Sequence, residues 1–285
     1  MRIRSIRSRL APLAIAGLLL TAAVAGPAHA ADDPPRTQYH EMHANCTVNH
    51  SLNDDPIVFP GLAGASHNHS FIGNPSTNAA STPQSLVGGA TTCEDTLDAS
   101  GYWFPTLLQR GVPLQPDKPT VYYKSGVTDY RTVQPFPAGF KLLVGDARTP
   151  DVAHFQGNWQ CTGYKGADIP ASCPAGSTLQ VRLTAPSCWD GVHLDTADHK
   201  SHMAFPVSGR CPADHPVPLP MLEIKLPYPL NNGDTSGLAY SSGAGYTFHY
   251  DFMNGWDATR QAYLVGYCIN GGRQCNGFGQ DPKKP

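Results

Sequence analysis

Phe248-His249-Tyr250-Asp251-Phe252-Met253-Asn254-Gly255-Trp256-Asp257 alternates aromatic and polar side chains and then reaches an Asn-Gly turn signal. Successive side chains on a strand point to opposite faces, so the stretch predicts a β-strand with one packed aromatic face. The other face carries His249 and Asp251. The decision between fold classes follows from this pattern and its neighbours. Further short strands, bounded by glycine, proline and other breakers, are expected at 120–124, 141–144, 179–183, 222–225, 245–251 and 262–268, with a short helix within 100–109. With 28 Gly and 27 Pro and few helical-period windows, the chain reads as all-β, a β-sandwich or jelly-roll with long disulfide-stapled loops.

Residues 1–30 have the form of an export signal. Arg2, Arg4, Arg7 and Arg9 precede an apolar run over 10–26, and Ala28-His29-Ala30 is a small-x-small cleavage pattern. Residues 31–42 read as a flexible lead-in, 43–279 as a single secreted β-rich domain, and 280–285 as a C-terminal tail. Removing the signal's 4 arginines from 20 Lys and Arg leaves 16, against 22 Asp and Glu, a balance of −6. Nucleic-acid binding needs basic surface to displace counterions, so that partner is excluded. No later run approaches the roughly 18 apolar residues that span a bilayer, and stable membrane insertion is not expected. The protein is expected to be secreted and monomeric.

All eight cysteines, Cys46, Cys93, Cys161, Cys173, Cys188, Cys211, Cys268 and Cys275, follow the signal, and an even number in an exported chain reads as disulfides. No Cys-x-x-Cys pair is present, which argues against a cysteine zinc module or a thioredoxin-type centre. Eight cysteines allow about 105 complete pairings. Local closure favours Cys161 with Cys173, Cys188 with Cys211 and Cys268 with Cys275, leaving Cys46 with Cys93.

Three clusters carry the chemistry. Ser66-His67-Asn68-His69 sets two imidazoles on one face if extended, as His249-Tyr250-Asp251 sets an imidazole and a carboxylate. Asp195-Thr196-Ala197-Asp198-His199-Lys200-Ser201-His202 brings His199 and His202 together only if the segment turns helically. The bland readings are a solvent-facing histidine, aspartates capping loop N–H groups, and a structural His-Asp bond at a strand end. His-Glu-x-x-His, Gly-x-Ser-x-Gly, P-loop and dinucleotide fingerprints are absent, which removes zincin, common serine-hydrolase and nucleotide readings.

Asp55-Pro-Ile-Val-Phe-Pro-Gly61 leading into Ser66-His-Asn-His69, then Trp189-Asp-Gly, Leu194-Asp-Thr-Ala-Asp-His-Lys-Ser-His-Met-Ala-Phe-Pro206, Cys211-Pro-Ala-Asp-His-Pro216 and His249-Tyr-Asp-Phe-Met-Asn-Gly-Trp256 together resemble a family of secreted actinobacterial and fungal proteins catalogued as a domain of unknown function. The resemblance spans roughly 43–270. It implies an extracellular polysaccharide context, because fungal members are sometimes fused to wall- or carbohydrate-binding modules, and it supplies no reaction. It places His67, His69, Asp195, His199, His202, His249 and Asp251 on motif positions, and His193 off them.

Two classes of function follow. The first is a hydrolase of extracellular or cell-wall polysaccharide, with His199, His202, Asp195, His249 and Asp251 catalytic. It works either through a divalent metal on His67, His69 and His199 or by metal-free proton transfer. The second is a noncatalytic glycan-binding protein in which Trp103, Trp159, Trp189 and Trp256 stack on sugars. A copper histidine brace is disfavoured because the expected mature N-terminus is Ala31.

Overall fold

The 248–257 stretch forms the strand His249–Met253, and its neighbours assemble around it in two large antiparallel sheets, accompanied by two three-stranded ones. The computed structural model describes residues 40–284, so the export signal and most of the lead-in lie outside the described residues. The first sheet has six strands in the spatial order Glu41–Asn45, Thr120–Lys124, Met221–Tyr228, Leu179–Thr184, Asn158–Cys161, Tyr164–Gly166. The second has five, Val48–Leu52, His69–Gly73, Gly101–Pro105, His249–Met253, Lys141–Gly145. The inner faces meet in one core: Val181, Leu183, Leu222, Ile224 and Tyr123 from the first sheet pack with Ile72, Tyr102, Phe104, Tyr250, Phe252, Leu142 and Val144 from the second. This is a β-sandwich.

The period-two rule then dictates what the five-stranded sheet shows on its outside. His69 pairs with Pro105 and Phe71 with Trp103, while Asp251 pairs with Trp103 and His249 with Gly145. Continuing that register by two sets His249 level with Pro105, so His69 and His249 flank a proline in one transverse row. Asp251 stands one row below. Phe71, Trp103 and Met253, with Ile57 and Leu86 above them, form a small second core on this outer face.

A buried polar chain locks the inner layer. Tyr102 Oη donates to Asp98 Oδ2 at 2.8 Å and meets Tyr123 Oη at 2.5 Å, and Trp256 Nε1 donates to Tyr123 Oη at 3.0 Å. Complete burial pushes the Asp98 carboxyl up to about 6.

Three expected elements differ. The strand expected at 245–251 begins only at His249, because Gly245–Thr247 forms a 3-10 turn. Residues 262–268 are not a strand: the helix Ala258–Leu264, capped by the Asp257 carboxylate on Arg260 N, runs into a π-helical turn Val265–Asn270. Its buried positions Gln261, Leu264, Val265, Cys268 and Ile269 recur at helical spacing, and that period prevails over the β propensity of Tyr, Val and Cys. Residues 100–109 hold no helix but the strands Gly101–Pro105 and Leu107–Gln109, because Tyr102 and Phe104 must face one core and Trp103 the other. The first strand begins at Glu41, and the tail is tied down by Asp281, whose carboxylate accepts from Gln274 N and Lys283 N.

Cys46–Cys93, Cys161–Cys173, Cys188–Cys211 and Cys268–Cys275 are bonded, the pairs that local closure favours, and no free cysteine remains. Among the described residues no helix is long and apolar enough to cross a membrane. The Cys188–Cys211 bridge closes the loop that carries Asp195, His199 and His202. Loop closure of this length stabilises by about 3 kcal/mol. The double variant Cys188→Ser, Cys211→Ser should lose that amount in urea unfolding, and wild type titrated for thiols in nonreducing denaturant should give none.

Candidate functional site

Above the outer row lies the loop that leaves Val48–Leu52 and returns at His69–Gly73. Its closure is written in its residues. Asp54 Oδ1 accepts from Gly64 N at 2.9 Å and Asp54 Oδ2 from Ala79 N at 3.0 Å. Asp55 Oδ1 accepts from Ile57 N at 3.0 Å and Val58 N at 2.9 Å. Gly64 turns the chain at φ 76°, which a side chain rarely adopts, and Ser66 N then donates to Asn53 O at 3.0 Å. The closure carries Asp55 and His67 over the buried row.

The tautomers of the two row histidines follow from their partners. His69 Nδ1 lies 3.0 Å from Asp54 O, and His249 Nδ1 lies 2.9 Å from Thr247 O. A carbonyl only accepts, so both Nδ1 atoms carry the hydrogen and both Nε2 atoms carry a lone pair. Those Nε2 atoms face each other at 3.4 Å. Neither ring can donate to the other in that state, and burial holds both neutral: it pulls His249 down to about 4 and His69 well below the usual imidazole range. Two lone pairs aimed at one point from inside a protein could hold a cation between them. Two tetrahedral ligands with metal–nitrogen bonds of about 2.0–2.1 Å lie about 3.3–3.4 Å apart, the separation found.

His67 completes the group. Its ring centroid is 4.2 Å from that of His69 and 5.0 Å from that of His249, and its Nε2 is buried with no hydrogen-bond partner. A ring nitrogen from each of His67, His69 and His249 falls within 4.8 Å of the others, as do ligand atoms of Asp55, His69 and Asp251. Asp251 is wholly buried, with neither carboxylate oxygen hydrogen-bonded. Burial, and then the nearby Asp55, drive its carboxyl well above the usual carboxylate range. Asp55 is itself raised by burial, against the pull of its two backbone donors. Three neutral imidazoles and two acids with no cation of their own match the donor set of a borderline divalent metal such as zinc.

The third cluster lies beside this centre. Lys141 N donates to Leu194 O and Leu143 N to His199 O, each at 3.0 Å, so the loop runs along the free edge of Lys141–Gly145. His199 takes a left-handed backbone at φ 59°, rare for a side-chain-bearing residue. Its Nδ1 donates to Asp195 Oδ1 at 2.7 Å, and Asp195 Oδ2 meets Lys141 Nζ at 3.1 Å. The charge of His199 is among those acting on Asp55, and that of Lys200 among those acting on His249 and Asp251.

Of the expected metal ligands, His67 and His69 converge, and the third imidazole beside them is His249. His199 stands outside this trio, bound to Asp195. His202 stands further off, buried against Phe140. Its Nε2 donates to Lys141 O at 2.8 Å and its Nδ1 meets Thr196 Oγ1 at 3.1 Å, so it brackets loop to strand. Asp198 caps Lys200 N and Ser201 N, and these donors hold it well below the usual carboxylate range. Asp55, at the centre, is not among the site residues expected from the sequence. Its place in the Asp55–Gly61 motif was the available signal. The tryptophans are corrected too: Trp103, Trp159 and Trp256 are core side chains, and Trp189 spends its Nε1 on His193 O.

The family model described as Domain of unknown function (DUF1996) matches residues 55–256, and the chain belongs to that family. No curated protein and no solved structure matches the chain. The matched span begins at Asp55 and includes all five residues of the centre.

Asp251 yields a signed expectation for protein stripped of metal. A carboxyl whose folded pKa is raised stabilises the fold only while protonated, and the benefit is lost as pH rises from the unfolded value upward. Metal-free Asp251→Asn should therefore melt several degrees above metal-free wild type at pH 8, with the gap closing toward pH 4. Differential scanning calorimetry across that range checks it.

Proposed function

We propose that this DUF1996 protein is an exported metal-dependent hydrolase, with a divalent ion held by His67, His69 and His249 beside Asp251 and Asp55, acting on an extracellular polysaccharide. The observation that carries the reading is the 3.4 Å approach of two Nε2 atoms whose hydrogens are both committed to carbonyls. Four disulfides support an oxidising, extracellular setting, since such bonds are rarely kept in reducing compartments.

A bound divalent ion would supply Lewis acidity and lower the pKa of a coordinated water. The chain supplies the rest. Asp54 O and Thr247 O orient the two ring planes and keep Nε2 as the donor atom, as outer-shell acceptors do in metal sites. Asp251 and Asp55 would balance the charge of such an ion. His199 has Nδ1 committed to Asp195, so its Nε2 is the lone-pair atom, and it accepts a proton from an attacking water and returns it to the leaving oxygen. Lys141 Nζ, 3.1 Å from Asp195 Oδ2, holds Asp195 in place. A cleft of about 330 Å³ bordered by Gly145, Asp146, Lys200 and Phe205 adjoins His249 across the strand pair and offers room for a polymer segment.

Protein purified without chelator or polyhistidine tag should hold close to one divalent ion per chain by elemental analysis. His69→Ala and His249→Ala should lose it. His199→Ala should keep it while turnover on a released-sugar assay falls by about 10²–10⁴-fold. A wild type that takes up no zinc, manganese or copper on dialysis, with a melting temperature unmoved by any of them, would remove the reading.

A further inference from the structure

The donors of the centre divide into two groups. Among the described residues, one ligand atom from each of His67, His69 and His249 lies within 4.8 Å of the others, and the same holds for Asp55, His69 and Asp251. The groups share only His69. An ion seated among the three rings therefore leaves both carboxylates outside its donors.

The second group is built and unsatisfied. Asp251 is set by the sheet, paired with Trp103 on one side and Leu143 on the other. It is fully buried, and neither of its oxygens has a hydrogen-bond partner. A bare buried carboxylate is costly unless a proton or a cation meets it. A proton shared with Asp55 would appear as a hydrogen bond between the two acids, and none joins them. Asp55 comes from the loop above in a fixed orientation, its Oδ1 held by Ile57 N at 3.0 Å and Val58 N at 2.9 Å.

The two groups exclude each other. His69 gives its Nδ1 hydrogen to Asp54 O, so Nε2 carries its one lone pair, which serves one ion. Two divalent ions would also set four positive charges against two carboxylates in a buried space.

Donor type then sorts the metals. Three imidazoles suit zinc or copper, whereas two carboxylates with one imidazole suit manganese. Calcium takes roughly six to eight oxygens, more than two carboxylates supply. Magnesium keeps several waters, and Asp55, His69 and Asp251 are 3 %, 0 % and 0 % exposed, a poor place for a hydrated ion.

We propose that Asp55, His69 and Asp251 form a second, alternative cation seat that takes manganese(II) when the imidazole seat is empty and yields it when zinc binds. The seat rests on the metal-binding half of the function proposed above and needs no hydrolysis. The probe is manganese(II) added to the metal-stripped mature chain, with the free ion read by electron paramagnetic resonance. Wild type should bind close to one manganese per chain, and zinc should release it one for one. Asp251→Asn should weaken manganese binding by about a hundredfold or more while zinc is still taken up. His249→Ala should do the reverse, and His69→Ala should lose both. Asp55→Asn and His67→Ala carry the expectations of Asp251→Asn and His249→Ala, so a folding defect in one variant leaves its counterpart decisive. Zinc uptake without manganese uptake would overturn the seat and leave the imidazole ion standing. Both metals held together, or Asp251→Asn and His249→Ala weakening both metals alike, would overturn it as well. Manganese binding that depends on Asp251, in a chain that takes up no zinc, would support the seat and remove the imidazole ion.

Discussion

Everything distinctive in this molecule turns on two imidazole lone pairs forced to face each other across a proline. His69 and His249 belong to strands separated by Gly101–Pro105, and their Nε2 atoms approach to 3.4 Å across it. Tyr250 and Phe252 on the reverse face, and Tyr102 and Phe104 on the strand between, are fully buried in the main core, so the row cannot slide or tilt without breaking that packing. A register slip of one residue would send the histidines inward and the aromatics out. The cost of an uncompensated pair of buried acceptors next to a buried carboxylate is several kcal/mol, and a sandwich of ordinary stability has only about 5–15 kcal/mol in hand. The ligand that relieves the cost would contribute to folding as well as to chemistry.

Much of this was legible in the chain. Alternation in 248–253 implied both the strand and its sidedness, and His-x-His implied the neighbouring pair, because period two is a local property. The strands at 120–124, 141–145, 179–184 and 221–228 follow from the same pattern. The π-helical segment misled because Tyr, Val and Cys favour strands, whereas its apolar spacing was helical. The 100–109 segment misled for the opposite reason: Trp103 and its aromatic neighbours serve two different cores, and no local rule reveals a second core.

The roles of His199, His202 and His249 were harder still. His199 and His202 look alike in sequence, yet one is partly exposed on a left-handed backbone and the other is sealed under a strand carbonyl. That difference arises from the loop's docking on the edge of Lys141–Gly145, a contact between distant segments. Asp55 was hidden likewise, since its approach to Asp251 depends on a loop closed by Asp54 and Gly64. His249 joined the trio in place of His199 because register, which the sequence states only relative to a partner strand, sets it level with His69.

The most direct test of the metal centre is anomalous diffraction from crystals of chelator-free protein, collected at the absorption edge of the element found by analysis. The account predicts one strong peak within coordination distance of Nε2 of His69 and His249, with His67 as a further nitrogen neighbour. A map with no peak there, and the two Nε2 atoms parted by a water or bridged by a proton, would contradict it.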